Sequence, residues 1–299
     1  MLSLTLPRLD RFITLYMYWP LVRLMGNTTG ASVPILSYQS ISNNLFGQSH
    51  PCYQINTAPE VFSKQMRWLK SQGYQAIHLP DMLDGLASGL NMSKRVVITF
   101  DDGYRDFLTE GFPVMKQCGF TATVFLVTDR IRTTPTRYEG VDYLTWRDIR
   151  ELHAEGIRFG SRTVTHPDLR SLEPDQIDYE LGYSKEIIEQ KLGAAVESFS
   201  YPFPFPEEDR DFARYIGDTL ENQGFKDGVS SIIGRATRDS NRFSLPRLPI
   251  NSWDTSELLQ AKLLGGYDWM HVPQLLKKFI FHNVTLMESE ARADSRGAG

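Results

Sequence analysis

Two adjacent carboxylates, Asp101 and Asp102, stand directly before Gly103 at the end of the run Val96, Val97, Ile98, Thr99 and Phe100. The β-branched and aromatic residues of that run predict a buried strand. In parallel α/β sheets chemistry is usually placed at the carboxyl ends of strands, because the following loops face an open crevice. Neighbouring carboxylates repel, so a cation or metal can hold one as an anion while the other serves as a base. Asp-Asp-Gly is also an ordinary turn composition. Taken alone, these three residues leave both readings open.

Thr99 through Gly103 resemble the first motif of the polysaccharide deacetylase (NodB-homology, carbohydrate esterase 4) family, in its exopolysaccharide-type branch. The segment 160–169, carrying Arg162 and His166, is similar to the family's His-x-x-x-His motif. Ser198 to Phe203 is similar to the strand that carries its oxyanion-binding turn. The resemblance spans residues 33–275, with the motifs in family order. It implies an α/β fold, a distorted (β/α) barrel with fewer than eight regular units. It also implies a hydrolase that removes N-acetyl groups from a polysaccharide or glycan precursor, with a divalent metal, zinc, as cofactor. By the resemblance, Asp101 is the general base, Asp102 and His166 are metal ligands, and the Phe203 N–H after Tyr201 and Pro202 receives the oxyanion.

Three positions depart from that pattern. Arg162 stands where the family has the first histidine, and arginine is never deprotonated in a protein, so it cannot ligate. Gln39 replaces a histidine at the end of the first strand, and Ser200 replaces an arginine found before Tyr-Pro in some branches. Two ligands fall short of the three that a catalytic zinc takes. The expectation is weak or absent metal and reduced activity. Two alternatives stay open: a carbohydrate-binding protein of exopolysaccharide assembly that has lost the metal, and an esterase acting on O-acetyl groups. His271 is the nearest candidate for a general acid, although a lone histidine is more often structural.

The elements that would position these residues alternate. A strand over 33–38 leads to a helix with Phe62, Met66 and Leu69 on one face, for which Thr57 and Glu60 predict a capping box. A short helix from Pro80 precedes the strand ending at Asp101. Further strands are expected over 121–127, 157–160, 197–201, 228–233 and 245–250, with helices over 107–118, after Thr145, and over 173–192. Strand–helix alternation implies a parallel sheet with outer helices.

With 299 residues the chain can bury a large core. Hydrophobic residues make up 41% and charged ones 23%, and the net charge of -4 gives no basic footprint, so no nucleic-acid partner is expected. Cys52 and Cys118 are too few for a disulfide framework, and Cys118 reads as a small buried hydrophobe. Residues 11–25 are the most apolar stretch, too short and too interrupted by Pro20 to span a bilayer. They read either as a helix docked on the barrel or as a peripheral membrane anchor with Trp19 and the tyrosines at headgroup level. No clear cleavage site follows, so a cytoplasmic or membrane-peripheral location is expected. The expected division is an N-terminal segment 1–30, a barrel 31–275 and a polar tail 276–299.

Overall fold

The computed structural model describes residues 9–24, 30–43, 56–138 and 140–279. Seven parallel strands close a ring in chain order: β1 (Ile35–Tyr38), β2 (Arg95–Phe100), β3 (Thr123–Leu126), β4 (Arg158–Ser161), β5 (Ser198–Ser200), β6 (Asp227–Ile233) and β7 (Leu245–Pro249). Each pairs with its successor, and β7 returns to β1. The expected barrel is therefore present, with seven units rather than eight.

The period-two alternation of a strand sorts the side chains. Ile35, Val97, Phe125, Val229 and Leu245 form one buried cluster, while Leu36, Tyr38, Val96, Ile98, Phe100, Val124, Leu126 and Phe199 join the larger one shared with the helices. Counting onward from Val97 by twos puts Thr99 and then Asp101 on the same face as that smaller cluster. The barrel thus has an apolar floor and a polar mouth. Gly160 in β4 makes room for the floor, since a Cβ there would lie 2.5 Å from the Phe125 ring.

Helices α1 (Pro59–Ser71), α2 (Leu79–Ala87), α3 (Phe112–Cys118), α4 (Trp146–Ala154), α5 (Pro174–Leu192), α6 (Arg210–Asn222) and α7 (Ser256–Leu263) accompany the strands. Residues 234–244, between β6 and β7, carry no helix, which is where the barrel departs from regularity. There Ala236–Thr237 pairs antiparallel with Ser32–Val33. The helix expected after Thr145 is α4, and Thr145 caps it in a capping box with Asp148. Thr57 does not cap α1. Pro59 fixes the first helical residue and makes Ala58 the N-cap, so Thr57 lies one residue too early and its N–H goes instead to the Ser40 carbonyl at 2.8 Å. Cys118 is buried, as expected; Cys52 and residues 280–299 lie outside the described residues.

Residues 9–24 form a continuous helix, wound as a π-helix over Ile13–Tyr18. Side-chain hydrogen bonds tie it to the barrel: Tyr267 Oη donates to Asp10 Oδ2 at 3.0 Å and Trp269 Nε1 to Thr14 Oγ1 at 3.0 Å. Leu9, Phe12, Tyr16, Met17, Leu21 and Leu24 are left exposed. No helix among the described residues is long and apolar enough to cross a membrane.

Candidate active site

Three strand ends bring Asp101, Asp102, Arg162, His166 and the Tyr201–Phe203 turn to one mouth of the barrel. Asp101 and Asp102 follow β2, Arg162 follows β4, and Ser200 ends β5. Asp101 is 6% exposed, Asp102 4% and Arg162 7%, so all their polar contacts are made in a medium poor in water.

Asp101 is gripped from three strands. Arg247, inward-facing on β7, meets it bidentately, with Nη1 at 3.0 Å from Oδ1 and Nη2 at 2.9 Å from Oδ2. Arg162 Nη1 lies 3.1 Å from Oδ2, and Ser200 Oγ donates to Oδ1 at 3.0 Å. Burial pushes the carboxyl up, but Arg162 and Arg247 outweigh it and hold Asp101 below the usual carboxylate range. Bidentate pairing of this kind is the strong form of a charge-assisted contact. Arg247 is in turn fixed by Nε donating to the Ser230 carbonyl at 2.9 Å and Nη1 to Thr99 Oγ1 at 3.2 Å.

Asp102 has a different set of neighbours. Gln39 Nε2 donates to its Oδ2, and Arg162 Nε lies 2.8 Å from its Oδ1. The Arg162 Nε–H is aimed at His166 Nε2, 3.3 Å away, so the contact with Asp102 Oδ1 is electrostatic and that buried oxygen accepts no hydrogen bond among the described residues. His166 Nε2 and Asp102 Oδ1 are 3.6 Å apart. Burial, then the Arg162 charge, depresses the His166 imidazole below its ordinary value, so it is neutral at neutral pH. Tyr104 also hydrogen-bonds Asp102, and burial with the Asp102 charge pushes its phenol far up, so it remains protonated.

The loop that carries Arg162 and His166 is built to an unusual shape. Asp102, Thr163 and His166 all take left-handed φ values, +72°, +66° and +66°. For residues with a Cβ such conformations are costly and persist only where the surroundings over-determine them. Glu180 on α5 supplies that constraint. Its Oε2 accepts from the Val164 and Thr165 N–H groups at 2.7 and 2.9 Å, and its Oε1 accepts from the Thr165 hydroxyl at 2.7 Å. Thr163 Oγ1 accepts from the His166 N–H at 3.1 Å.

Arg162 is further held by Nη1 to Ser200 Oγ at 2.5 Å and Nη2 to the Pro202 carbonyl at 3.3 Å. Tyr201 is buried and Phe203 is exposed beside the His166 ring, 5.4 Å between centroids. His271, the expected general-acid candidate, pairs instead with Glu207 at 2.8 Å.

Sequence reasoning passed over Arg247 and Glu180. Each had a signal. Arg247 is a lone cation in an otherwise apolar strand, two residues from the buried Leu245, and Glu180 is a carboxylate within the buried stripe Ile177, Leu181, Ser184 and Ile188 of α5.

The divalent cation implied by the resemblance finds a poor donor set here. Asp102 Oδ1 and His166 Nε2 remain, but the third position holds a permanent cation. Among the described residues no cluster of three His, Cys, Asp or Glu side chains is placed to hold a metal. The residues present do not fit a catalytic ion with three protein ligands.

A family model described as polysaccharide deacetylase matches residues 90–216. YxkH of Bacillus subtilis, whose name assigns it to the polysaccharide deacetylases, is 30% identical over 225 residues, covering 74% of this chain and 72% of that protein. A poly-beta-1,6-N-acetyl-D-glucosamine N-deacetylase of Staphylococcus aureus is 22% identical over 217 residues, covering 69% and 71%. Among solved structures, the Streptococcus pyogenes deacetylase PplD in complex with acetate superposes with a TM-score of 0.65 at 25% identity, over 79% of this chain and 99% of that one. IcaB from Ammonifex degensii shares the fold, with a TM-score of 0.65 at 19% identity over 79% and 98%. The chain belongs to the polysaccharide deacetylase family.

Proposed function

We propose that this chain is a hydrolase that removes acetyl groups from an N-acetylated glycan. The observation that carries this is the convergence of Asp101, Asp102, His166 and the Tyr201–Phe203 turn at the carboxyl mouth of a deacetylase-type barrel. In this reading Asp101 takes the proton of the attacking water, and the Phe203 N–H with the neighbouring guanidinium faces the developing oxyanion. Preorganised donors at such a position are worth a few kcal/mol. The low proton affinity that Arg162 and Arg247 impose makes Asp101 a weak base, because general bases work best with a pKa near the working pH. Turnover is therefore slow. The test is acetate release from N-acetylglucosamine oligomers and from O-acetylated glycans, with Asp101→Asn as the control. Release that Asp101→Asn abolishes supports the reading. Glycan binding without release would favour a carbohydrate-binding role instead.

We propose in addition that residues 9–24 rest on a membrane surface. The support is the outward face of that helix: Asp10 and Thr14 tie it to the barrel, while Leu9, Phe12, Tyr16, Met17, Leu21 and Leu24 are exposed. Arg23 is exposed on the same helix and lies over the Trp19 ring at 5.9 Å. An exposed apolar face with a cation beside it suits an anionic bilayer surface.

A further inference from the structure

We infer that Arg162 is an internal stand-in for a divalent cation, and that this one residue decides whether the barrel mouth can hold a metal. The inference deepens the reading of the site as a deacetylase centre, but it concerns binding and is tested without turnover. Three observations carry it. The first is position: Arg162 Nε sits 2.8 Å from Asp102 Oδ1 and 3.3 Å from His166 Nε2, between the two atoms that would otherwise donate to a metal. The second is charge. Asp101 and Asp102 carry two negative charges and Arg162 and Arg247 two positive ones, all within ion-pair distance, so the cluster is compensated without any bound ion. A divalent cation entering here would face two permanent cations in a buried site, where like charges are least screened.

The third observation concerns what has been retained. Asp102 Oδ1 is buried without a hydrogen bond among the described residues, and the His166 Nε2 lone pair faces the same small space. His166 is held there by a left-handed backbone and by the Glu180-braced loop. The chain therefore keeps two donors of a borderline-metal site, preorganised, with one residue filling the gap. An imidazole at position 162 would add the third donor and withdraw the competing charge in a single exchange. Gln39 sets a secondary constraint, since its amide occupies Asp102 Oδ2 and limits the carboxylate to one free oxygen.

The experiment is a Co2+ titration followed by visible absorption, with Zn2+ binding by calorimetry as a second readout, on the full chain. Wild type is expected to show no stoichiometric binding. Arg162→His is expected to take up about one equivalent of Co2+ with the intense absorption of a low-coordinate site. Asp102→Asn in that background should abolish it. Folding of each variant is checked by circular dichroism. If Arg162→His does not fold, Gln39→His with Arg162→Gln, which removes the charge and supplies an imidazole from β1, serves in its place with the same expectation. One equivalent bound by wild type and lost in Asp102→Asn would overturn the inference, because Arg162 would then not hold the cation's place. Folded variants that gain no metal would overturn it as well. Neither result depends on acetate release, so failure of the hydrolase reading and failure of this one are distinguishable.

Discussion

Asp101 receives four contacts from three strands, and most of what distinguishes this site follows from that grip. Arg247 supplies the bidentate half. Ser200 joins the pairs, because its hydroxyl donates to Asp101 and accepts from both arginines. Arg247→Ala leaves a buried carboxylate with one arginine fewer, and breaking a buried pair in this way costs about 3–5 kcal/mol. Urea unfolding should show that loss, and Arg247→Lys should recover little of it, since an ammonium cannot reproduce the planar fork. The pH dependence has a definite sign. The folded-state pKa of Asp101 is depressed, so its stabilisation is present above the unfolded value near 4 and is lost as pH falls through the folded value. Asp101→Asn should flatten the acid limb of stability against pH; an unchanged limb would mean the ion pairs do not form. The Asp101, Asp102 and His166 positions were legible because their motifs fall at strand ends. Arg247 was not, because its meaning lies in a ring closure that sets β7 near Asp101 from 146 residues away in the chain.

The elements were read well where local chemistry decides them. Gly119 ends α3 in a left-handed cap, and Gly156 follows α4 with a positive φ, the conformation glycine adopts most readily at a helix end. Thr57 misled because Pro59 overrode a side-chain cap, and the π-helical winding of Ile13–Tyr18 has no signal in periodicity. Glu180→Ala should release the Val164 and Thr165 N–H groups and destabilise the protein by about 1–3 kcal/mol, read by denaturant unfolding. Faster amide exchange confined to 163–166 should accompany it; unchanged exchange would show that the loop holds its shape without α5. Asp227 at the start of β6 is a second case. Burial pushes its carboxyl up to about 7, partly offset by the Ser198 hydroxyl. A raised folded pKa favours the neutral acid, so its contribution is fully present below the unfolded value and is lost as pH rises through about 7. Stability measured from pH 6 to 8.5 should fall more steeply for wild type than for Asp227→Asn. Equal slopes would place Asp227 in a wetter setting than its burial indicates.

At the scale of the whole molecule, seven strands in chain order set an apolar floor beneath a compensated polar mouth. The helix 9–24 lies apart from the mouth's ion pairs and presents an apolar face outward. Sequence alone left that helix between docking and anchoring, because periodicity shows that a face exists but not which side packs. The chain should co-sediment with phosphatidylglycerol vesicles more than with phosphatidylcholine vesicles, and Leu21→Glu should reduce this about tenfold. Equal recovery with both lipids, or a concentration-dependent dimer that Leu21→Glu dissolves, would contradict a membrane role. The mouth itself is tested most directly by measuring acetate release from N-acetylglucosamine oligomers with and without a strong chelator. The predicted result for wild type is slow release, unaffected by the chelator and lost in Asp101→Asn. Fast release that the chelator abolishes and added zinc restores would contradict it, as would no release from any acetylated glycan.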